Sequence, residues 1–184
     1  MPRLALGFFL LFSVLAPRVA SAQTVLAADG AYGLPIKSGY AAPGVDFGLR
    51  LGRRITVPHL WQVWELGIDY TQFSPSASNA SNDELHTYRA FVGTRLGFTG
   101  PVQPGLFAHF GVGHVTGTVL PERATMAQDI GHTAMTWDAG VYIDFEIARV
   151  FQFGIQAAYK KLLEERGPRP SQWLALGGHL AVLL

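Results

Sequence analysis

Apolar residues alternate with polar residues or glycine along residues 45–184, in seven long segments, and the stretch before them can supply an eighth. Segment 61–73 shows the alternation best, with one face carrying Trp64, Leu66, Ile68 and Tyr70 and the other carrying Glu65, Gly67, Asp69 and Thr71. Because successive side chains of a strand point to opposite faces, each segment is predicted to be a strand with one apolar face. Carboxylates are costly inside a water-soluble barrel, whereas a membrane barrel is apolar outside and polar inside. The pattern predicts an all-β fold, an eight-stranded antiparallel up-and-down transmembrane β-barrel.

Turn residues divide the chain into these strands. The predicted strands are residues 24–36, 45–55, 61–73, 84–98, 103–119, 133–147, 150–163 and 172–184. The connections alternate between short ones (56–60, 99–102 and 148–149) and longer, more polar ones (37–44, 74–83, 120–132 and 164–171). Outer-membrane barrels have short periplasmic turns and longer external loops. The alternation therefore indicates an even number of strands, with both chain ends in the periplasm.

The first 22 residues have the features of a secretory signal peptide. A basic residue, Arg3, precedes an apolar run over residues 4–15, and Ala20-Ser21-Ala22 forms a small-residue cleavage site. We expect cleavage after residue 22 and a single barrel domain over residues 23–184; an uncleaved membrane anchor is the alternative. The mature chain would hold 12 basic and 13 acidic residues and no cysteine. This balance argues against nucleic-acid binding, and disulfides cannot contribute to stability.

Three segments resemble the third, fifth and sixth strands of the small OmpA/OmpX-type outer-membrane barrels: residues 64–70 (WELGIDY), 107–113 (FAHFGVG) and 138–145 (DAGVYIDF). The resemblance implies a monomer in the bacterial outer membrane without a cofactor. Its implied partners are outer-membrane lipids, lipopolysaccharide and the barrel-assembly machinery. The chain departs from the family at its last residues, Val182-Leu183-Leu184, where members usually end on an aromatic residue that this machinery recognises.

The alternation assigns eleven charged residues to the lumen: Asp46, Arg50, Arg54, Glu65, Asp69, Arg89, Arg95, Asp138, Asp144, Glu146 and Lys160. Eight strands enclose an interior that side chains fill. Unpaired buried charge is very costly, so six acids and five bases in this space should form a network of ion pairs. The prediction is a lumen plugged by side chains; a gated ion path is the alternative.

Histidine spacing does not indicate a metal site. The chain contains His59, His86, His109, His114, His132 and His179. His109 and His114 are separated by an odd number of residues, so within one strand they face opposite sides. No zinc-type spacing and no cysteine ligand occurs in the sequence. We predict no metal.

One group of polar residues suggests an enzyme site at the external rim. A simple hairpin register about Gly100 pairs residues whose numbers sum to about 200, which places His86 opposite His114 and Glu84 opposite Thr116 on the lipid-facing side. The run His114-Val115-Thr116 resembles the His-x-Ser arrangement of lipid A deacylases of the PagL type, with threonine in place of serine. The alternative is a set of interfacial polar residues that flank an apolar belt.

Aromatic residues near the strand ends are expected to form interfacial girdles: Tyr70, Phe73, Tyr88, Trp137, Tyr159 and Trp173. The sequence therefore favours a structural or surface-interacting outer-membrane protein that is not an enzyme. A lipid A-modifying enzyme and a soluble, exported, lipocalin-like binding barrel are the two alternatives. Charged and glycine-rich inward faces argue against the lipocalin-like barrel, because they leave no apolar pocket.

Overall fold

The chain forms a closed β-barrel. The computed structural model describes residues 21–36, 41–77, 83–120, 126–147, 150–163 and 171–184. Within these residues the strands are β1 (Ser21–Ile36), β2 (Ala41–Val57), β3 (Leu60–Pro75), β4 (Leu85–Phe98), β5 (Val102–Val119), β6 (Gln128–Ile147), β7 (Phe151–Leu162) and β8 (Gln172–Leu183). Each strand pairs with the next in antiparallel fashion, and β8 closes the ring on β1. The predicted fold is confirmed.

Several strands extend beyond their predicted bounds. β6 begins at Gln128 rather than at residue 133, because its pairing with β5 continues out to Val119 opposite Gln128. β2 begins at Ala41, and an irregularity between Ala41 and Gly44 shifts its pairing with β3. The predicted signal segment lies outside the described residues except for Ser21 and Ala22, which belong to β1. Cleavage after residue 22 therefore stays a prediction.

The barrel is apolar outside and charged inside. Leu66, Phe110 and Val141 point outward and are 57%, 56% and 61% exposed. Asp69 and Arg89 point inward and are buried, as the alternation predicts. This arrangement is the reverse of a soluble lipocalin-like barrel, which would need an apolar interior. No helix among the described residues is long and apolar enough to cross a membrane.

The two ends of the barrel differ. One end, here the turn end, carries the short connections 58–59, 99–101 and 148–150. The other, the loop end, carries connections 37–40, 76–84, 120–127 and 163–171. At the turn end Pro58 and His59 join β2 to β3, and His59 has a φ of 70°. Proline followed by a residue of positive φ suits the middle of a type II turn.

Apolar side chains fill the lumen toward both ends. Phe73 and Trp173 are fully buried near the loop end and meet edge to face, with ring centroids 5.7 Å apart. The ring centroids of Trp61 and Tyr142 lie 5.8 Å apart near the turn end. The girdle prediction is therefore wrong for Phe73 and Trp173, because both occupy inward-facing positions of their strands. The other four aromatic residues point outward and form two pairs, Tyr70 with Tyr88 and Trp137 with Tyr159.

Candidate functional site

Most of the charged residues of the lumen form a layer between these two ends, whereas Arg54, Asp144 and Glu146 lie beside or beyond Trp61 and Tyr142 toward the turn end. Ten of the eleven predicted lumen residues are buried: Asp46, Arg50, Arg54, Glu65, Asp69, Arg89, Arg95, Asp138, Asp144 and Lys160. Glu146 also lies on the inward-facing side of β6 but is exposed at the turn end, where it accepts a hydrogen bond of 2.9 Å from Gln103 Nε2. Alternation along the strands thus brings these residues together from distant parts of the sequence.

Glu65 lies at the centre of one half of the layer. Its carboxylate accepts hydrogen bonds from Arg50 Nη1 at 2.8 Å and from Arg95 Nε at 2.9 Å. His109 Nε2 lies 2.6 Å from the same carboxylate. The Arg95 guanidinium also stacks 4.5 Å from the centre of the Phe107 ring, which adds a cation–π contact. One buried carboxylate therefore holds three cationic or polar side chains from three different strands.

Asp29 extends this half of the layer toward β1. Arg50 Nε and Nη2 donate to the two Asp29 oxygens at 2.7 and 2.8 Å, a bidentate pair. Gln156 connects the group across the barrel, since its Nε2 donates to Asp29 and its Oε1 accepts from Arg95. Bidentate pairs between arginine and carboxylate fix geometry as well as charge. Arg50 is accordingly held in one orientation between Asp29 and Glu65.

The other half of the layer is built around Asp69 and Lys160. Lys160 Nζ donates to Asp46 Oδ2 at 2.8 Å and to Asp69 Oδ2 at 3.0 Å. Arg89 Nη2 donates to Asp69 at 2.7 Å and also contacts Asp138. The two cations thus share three carboxylates, which neutralises most of the charge in this half.

His109 joins the two halves. Its Nε2 faces Glu65 and its Nδ1 lies 2.7 Å from Asp138 Oδ1. Its odd separation from His114 predicts that the two histidines face opposite sides, but spacing gives His109 no role. Asp29 and His179 are also absent from the predicted lumen set, although His179 Nε2 lies 3.1 Å from Asp144 Oδ1. Alternation along residues 103–119 already places His109 on the inward side, whereas the first strand, which carries Asp29, alternates less regularly.

Small residues make room for the large cations. A Cβ added at Gly67 would lie 2.5 Å from Phe91 Cζ and 3.0 Å from Arg50 Cγ. Glycine at this inward position of β3 therefore gives Arg50 the space to reach Glu65. The space left inside the layer is about 30 Å³. A water molecule needs about 10–15 Å³ by this measure, so little more than two waters would fit.

The predicted enzyme cluster at the rim is not assembled as expected. His86 pairs with Thr116, and Tyr88 pairs with His114, so the register sum is 202 and the pairs of His86 with His114 and of Glu84 with Thr116 are wrong. His86 Nδ1 instead lies 2.8 Å from the Tyr70 hydroxyl, and His114 Nδ1 lies 2.8 Å from Thr133 Oγ1. Glu84 accepts a hydrogen bond from Gln72.

Among the described residues no group of three or more histidine or acidic side chains has the arrangement of a metal site. At the rim His86 and Glu84 are linked through Tyr70 and Gln72, because the Tyr70 hydroxyl also donates to Gln72 Oε1 at 3.2 Å, whereas His114 contacts Thr133 on β6. The lumen layer is the one extended group of buried polar side chains in the described part of the chain, and it is the candidate functional site.

The fold is similar to that of several solved outer-membrane proteins. The major outer membrane protein from Thermus thermophilus is 11% identical, with a TM-score of 0.59 over 89% of this chain and 100% of that chain. Neisserial surface protein A is 14% identical, with a TM-score of 0.52 over 89% of this chain and 97% of that chain. The outer membrane enzyme PagL is 15% identical, with a TM-score of 0.52 over 86% of this chain and 98% of that chain. No protein-family model and no curated protein sequence matches the chain.

An apolar exterior on a closed antiparallel barrel, with charges inside, defines a transmembrane β-barrel of the bacterial outer membrane. Within that class the chain has the eight-stranded fold of the small OmpA/OmpX-type barrels, as the resemblance of its strands implied. At these identities the similarity extends to the fold alone.

Proposed function

We propose that this protein is a sealed outer-membrane barrel with a structural or surface-interacting role. The single observation that supports the seal best is the ionic layer, whose side chains enclose a cavity of only about 30 Å³. A conducting pore needs a continuous path of water or mobile charge. Here most of the charged side chains are bound to each other, while Arg54 donates to Gln103 Oε1 at 3.4 Å and lies over the Trp61 ring. Beyond them, Phe73 and Trp173 fill the lumen toward the loop end.

Energetics favour a permanent seal over a gate. Opening a path through the layer would separate Arg50 from Asp29 and Glu65, or Lys160 from Asp46 and Asp69, each at 2.7–3.0 Å. Removing one partner from a buried ion pair costs about 3–5 kcal/mol. A gate would have to break several such pairs at once, so the layer acts as a rigid plug.

The surface role is assigned to the four connections at the loop end. In outer-membrane barrels the longer connections face the outside, and a stiff barrel holds them in fixed positions. Outer-membrane lipids surround the apolar exterior. Lipopolysaccharide is the proposed partner at the loop end, and the barrel-assembly machinery is the proposed partner during insertion of a monomer.

Conductance in planar lipid bilayers tests the seal. We expect the purified, folded wild-type protein to give no single-channel steps. Replacing Arg50, Glu65 and Arg95 together with alanine should open a water path and produce steps, provided heat-modifiable gel migration shows a folded barrel. The control is Gln62→Ala, an outward-facing change, and this variant should give no single-channel steps, like the wild type. Regular single-channel steps from the wild-type protein would refute the plug.

A further inference from the structure

Arg53 is a charged residue in the wall that faces the lipid. It lies on the outward face of β2, in line with Leu49 and Leu51, four residues before the strand ends at Val57. Among the outward positions of the described strands, the other formally charged side chains, Asp129 and Lys161, lie toward the loop end. A cation on the lipid-facing wall is unfavourable unless it lies near the interface or has a partner. We therefore expect Arg53 to have an anionic partner.

The described protein groups do not supply that counter-charge. Arg53 Nη1 donates one hydrogen bond of 3.2 Å to Thr24 Oγ1, and no carboxylate of the described residues forms an ion pair with it. A guanidinium carries five N–H donors in a planar fork, so most remain available to an acceptor outside the chain. Thr94, whose hydroxyl accepts from Gln62 Nε2 at 3.2 Å, adds polarity on the neighbouring strands.

Arg53 and Thr24 border one side of an apolar groove on the outer surface. The turn-side groove has a volume of about 710 Å³, and its apolar walls are Leu51, Trp64, Leu66, Val92, Ala108 and Phe110. Pockets that hold small organic ligands commonly have volumes of about 300–1,000 Å³. Polar and apolar surfaces thus adjoin in one groove, a combination that suits an amphipathic molecule.

A second groove provides an internal comparison. The loop-side groove, of about 730 Å³, has apolar walls that include Phe47, Ile68, Ala90 and Val112. The outward-facing side chains of the described residues that line it carry no formal charge. The two grooves therefore resemble each other in size and apolar lining and differ in the presence of Arg53.

We propose that the turn-side groove binds one glycerophospholipid of the periplasmic leaflet, with the lipid phosphate on Arg53 and Thr24 and an acyl chain along the apolar walls. Arginine pairs well with phosphate because two parallel N–H donors can meet two phosphate oxygens. The turn end of such barrels faces the periplasm, which places this groove in the phospholipid leaflet rather than in the lipopolysaccharide leaflet. The site lies outside the lumen and does not depend on the sealed barrel.

Native mass spectrometry of the full chain tests this site. The protein, in a mild detergent, is offered phosphatidylglycerol and lipopolysaccharide together. We expect the wild type to retain one phosphatidylglycerol per chain, and Arg53→Gln to bind it about tenfold more weakly because a charge-assisted phosphate contact is lost. Heat-modifiable migration on a gel checks that each variant is folded.

A matched pair of variants tests the groove itself. Ala108→Phe fills the turn-side groove and should reduce lipid retention, whereas Ala90→Phe fills the loop-side groove and should not. Equal retention by the wild type and Arg53→Gln would overturn the proposal, as would equal losses from both phenylalanine variants. Arg53-dependent binding of lipopolysaccharide alone, or of a second copy of the chain, would also overturn it.

Discussion

At the scale of single residues, Glu65 determines most about the lumen. It is nearly inaccessible to solvent and faces Arg50, Arg95 and His109, so its charge offsets the desolvation of all three. A buried ion pair is weak evidence of net stability by itself, but loss of one partner leaves the other charge uncompensated. The sensitivity of the barrel to substitution should therefore be greatest where one carboxylate serves several cations.

We predict that Glu65→Gln lowers the free energy of unfolding by about 3–5 kcal/mol, because Arg50 and Arg95 then share one charge fewer inside the barrel. The measurement is urea unfolding in lipid vesicles, followed by tryptophan fluorescence. Glu84→Gln is the control, since Glu84 is exposed and the new amide oxygen can still accept from Gln72. Similar losses of stability in both variants would contradict the central position of Glu65.

The same scale shows what the sequence could predict. Strict alternation places ten charged residues on the inward faces of their strands, and all ten are buried, since the side of a strand follows from parity alone. Alternation does not predict which charged residues form ion pairs with each other. Arg50 contacts Asp29 on β1, and Lys160 contacts Asp46, which is 114 positions away. Such pairs depend on which strands close the ring and on how far each one is staggered.

At the scale of strands, the β4–β5 hairpin shows that a predicted register can be wrong while the predicted inward and outward faces of both strands are right. The pairing is symmetric about Pro101 rather than about Gly100, with Gly97 opposite Gly105. Turn composition locates a connection only to within a residue, and each residue of displacement of its centre changes the register by two. A shift of two preserves parity, so the outward face was predicted correctly and the rim pairs were not.

Disulfide trapping can check this register, because the chain contains no cysteine. The double variant with cysteine in place of His86 and Thr116 should cross-link rapidly under mild oxidation, since directly opposed Cα atoms lie about 4.5–5.5 Å apart. The double variant at His86 and His114, which are diagonal neighbours, should cross-link much more slowly. Faster cross-linking of the second pair on non-reducing gels would support the register about Gly100 instead.

At the scale of the whole molecule, the middle of the lumen is charged where a soluble barrel would be apolar, but aromatic side chains fill the lumen toward the loop end. Charges occupy the central lumen, and Phe73 with Trp173 closes it toward the loop end. Alternation predicts which residues point inward, but it carries no information about their height along the barrel axis. Height depends on strand tilt and shear. The girdle prediction for Phe73 fails for a different reason: Phe73 lies on the same side of β3 as Asp69, so nearness to a strand end does not make it an interfacial residue.

Height along the axis also governs the cost of a charge on the lipid-facing wall, and β6 offers a test with two outward residues. Val141 lies well within the strand, whereas Ile147 ends it at the turn end. We predict that Val141→Arg destabilises the folded barrel by about 2–4 kcal/mol and Ile147→Arg by about 1 kcal/mol or less, because the penalty falls toward the interface.

Urea unfolding in vesicles measures both effects on the β6 wall. Both positions are exposed and apolar, at 61% for Val141 and 53% for Ile147, so differences in burial inside the protein do not explain unequal losses. Detergent micelles supply a second comparison, since a micelle adapts to an added charge more easily than a bilayer does. Equal losses at the two positions in vesicles would mean that hydrocarbon does not surround Val141, and the membrane orientation of the barrel would have to be revised.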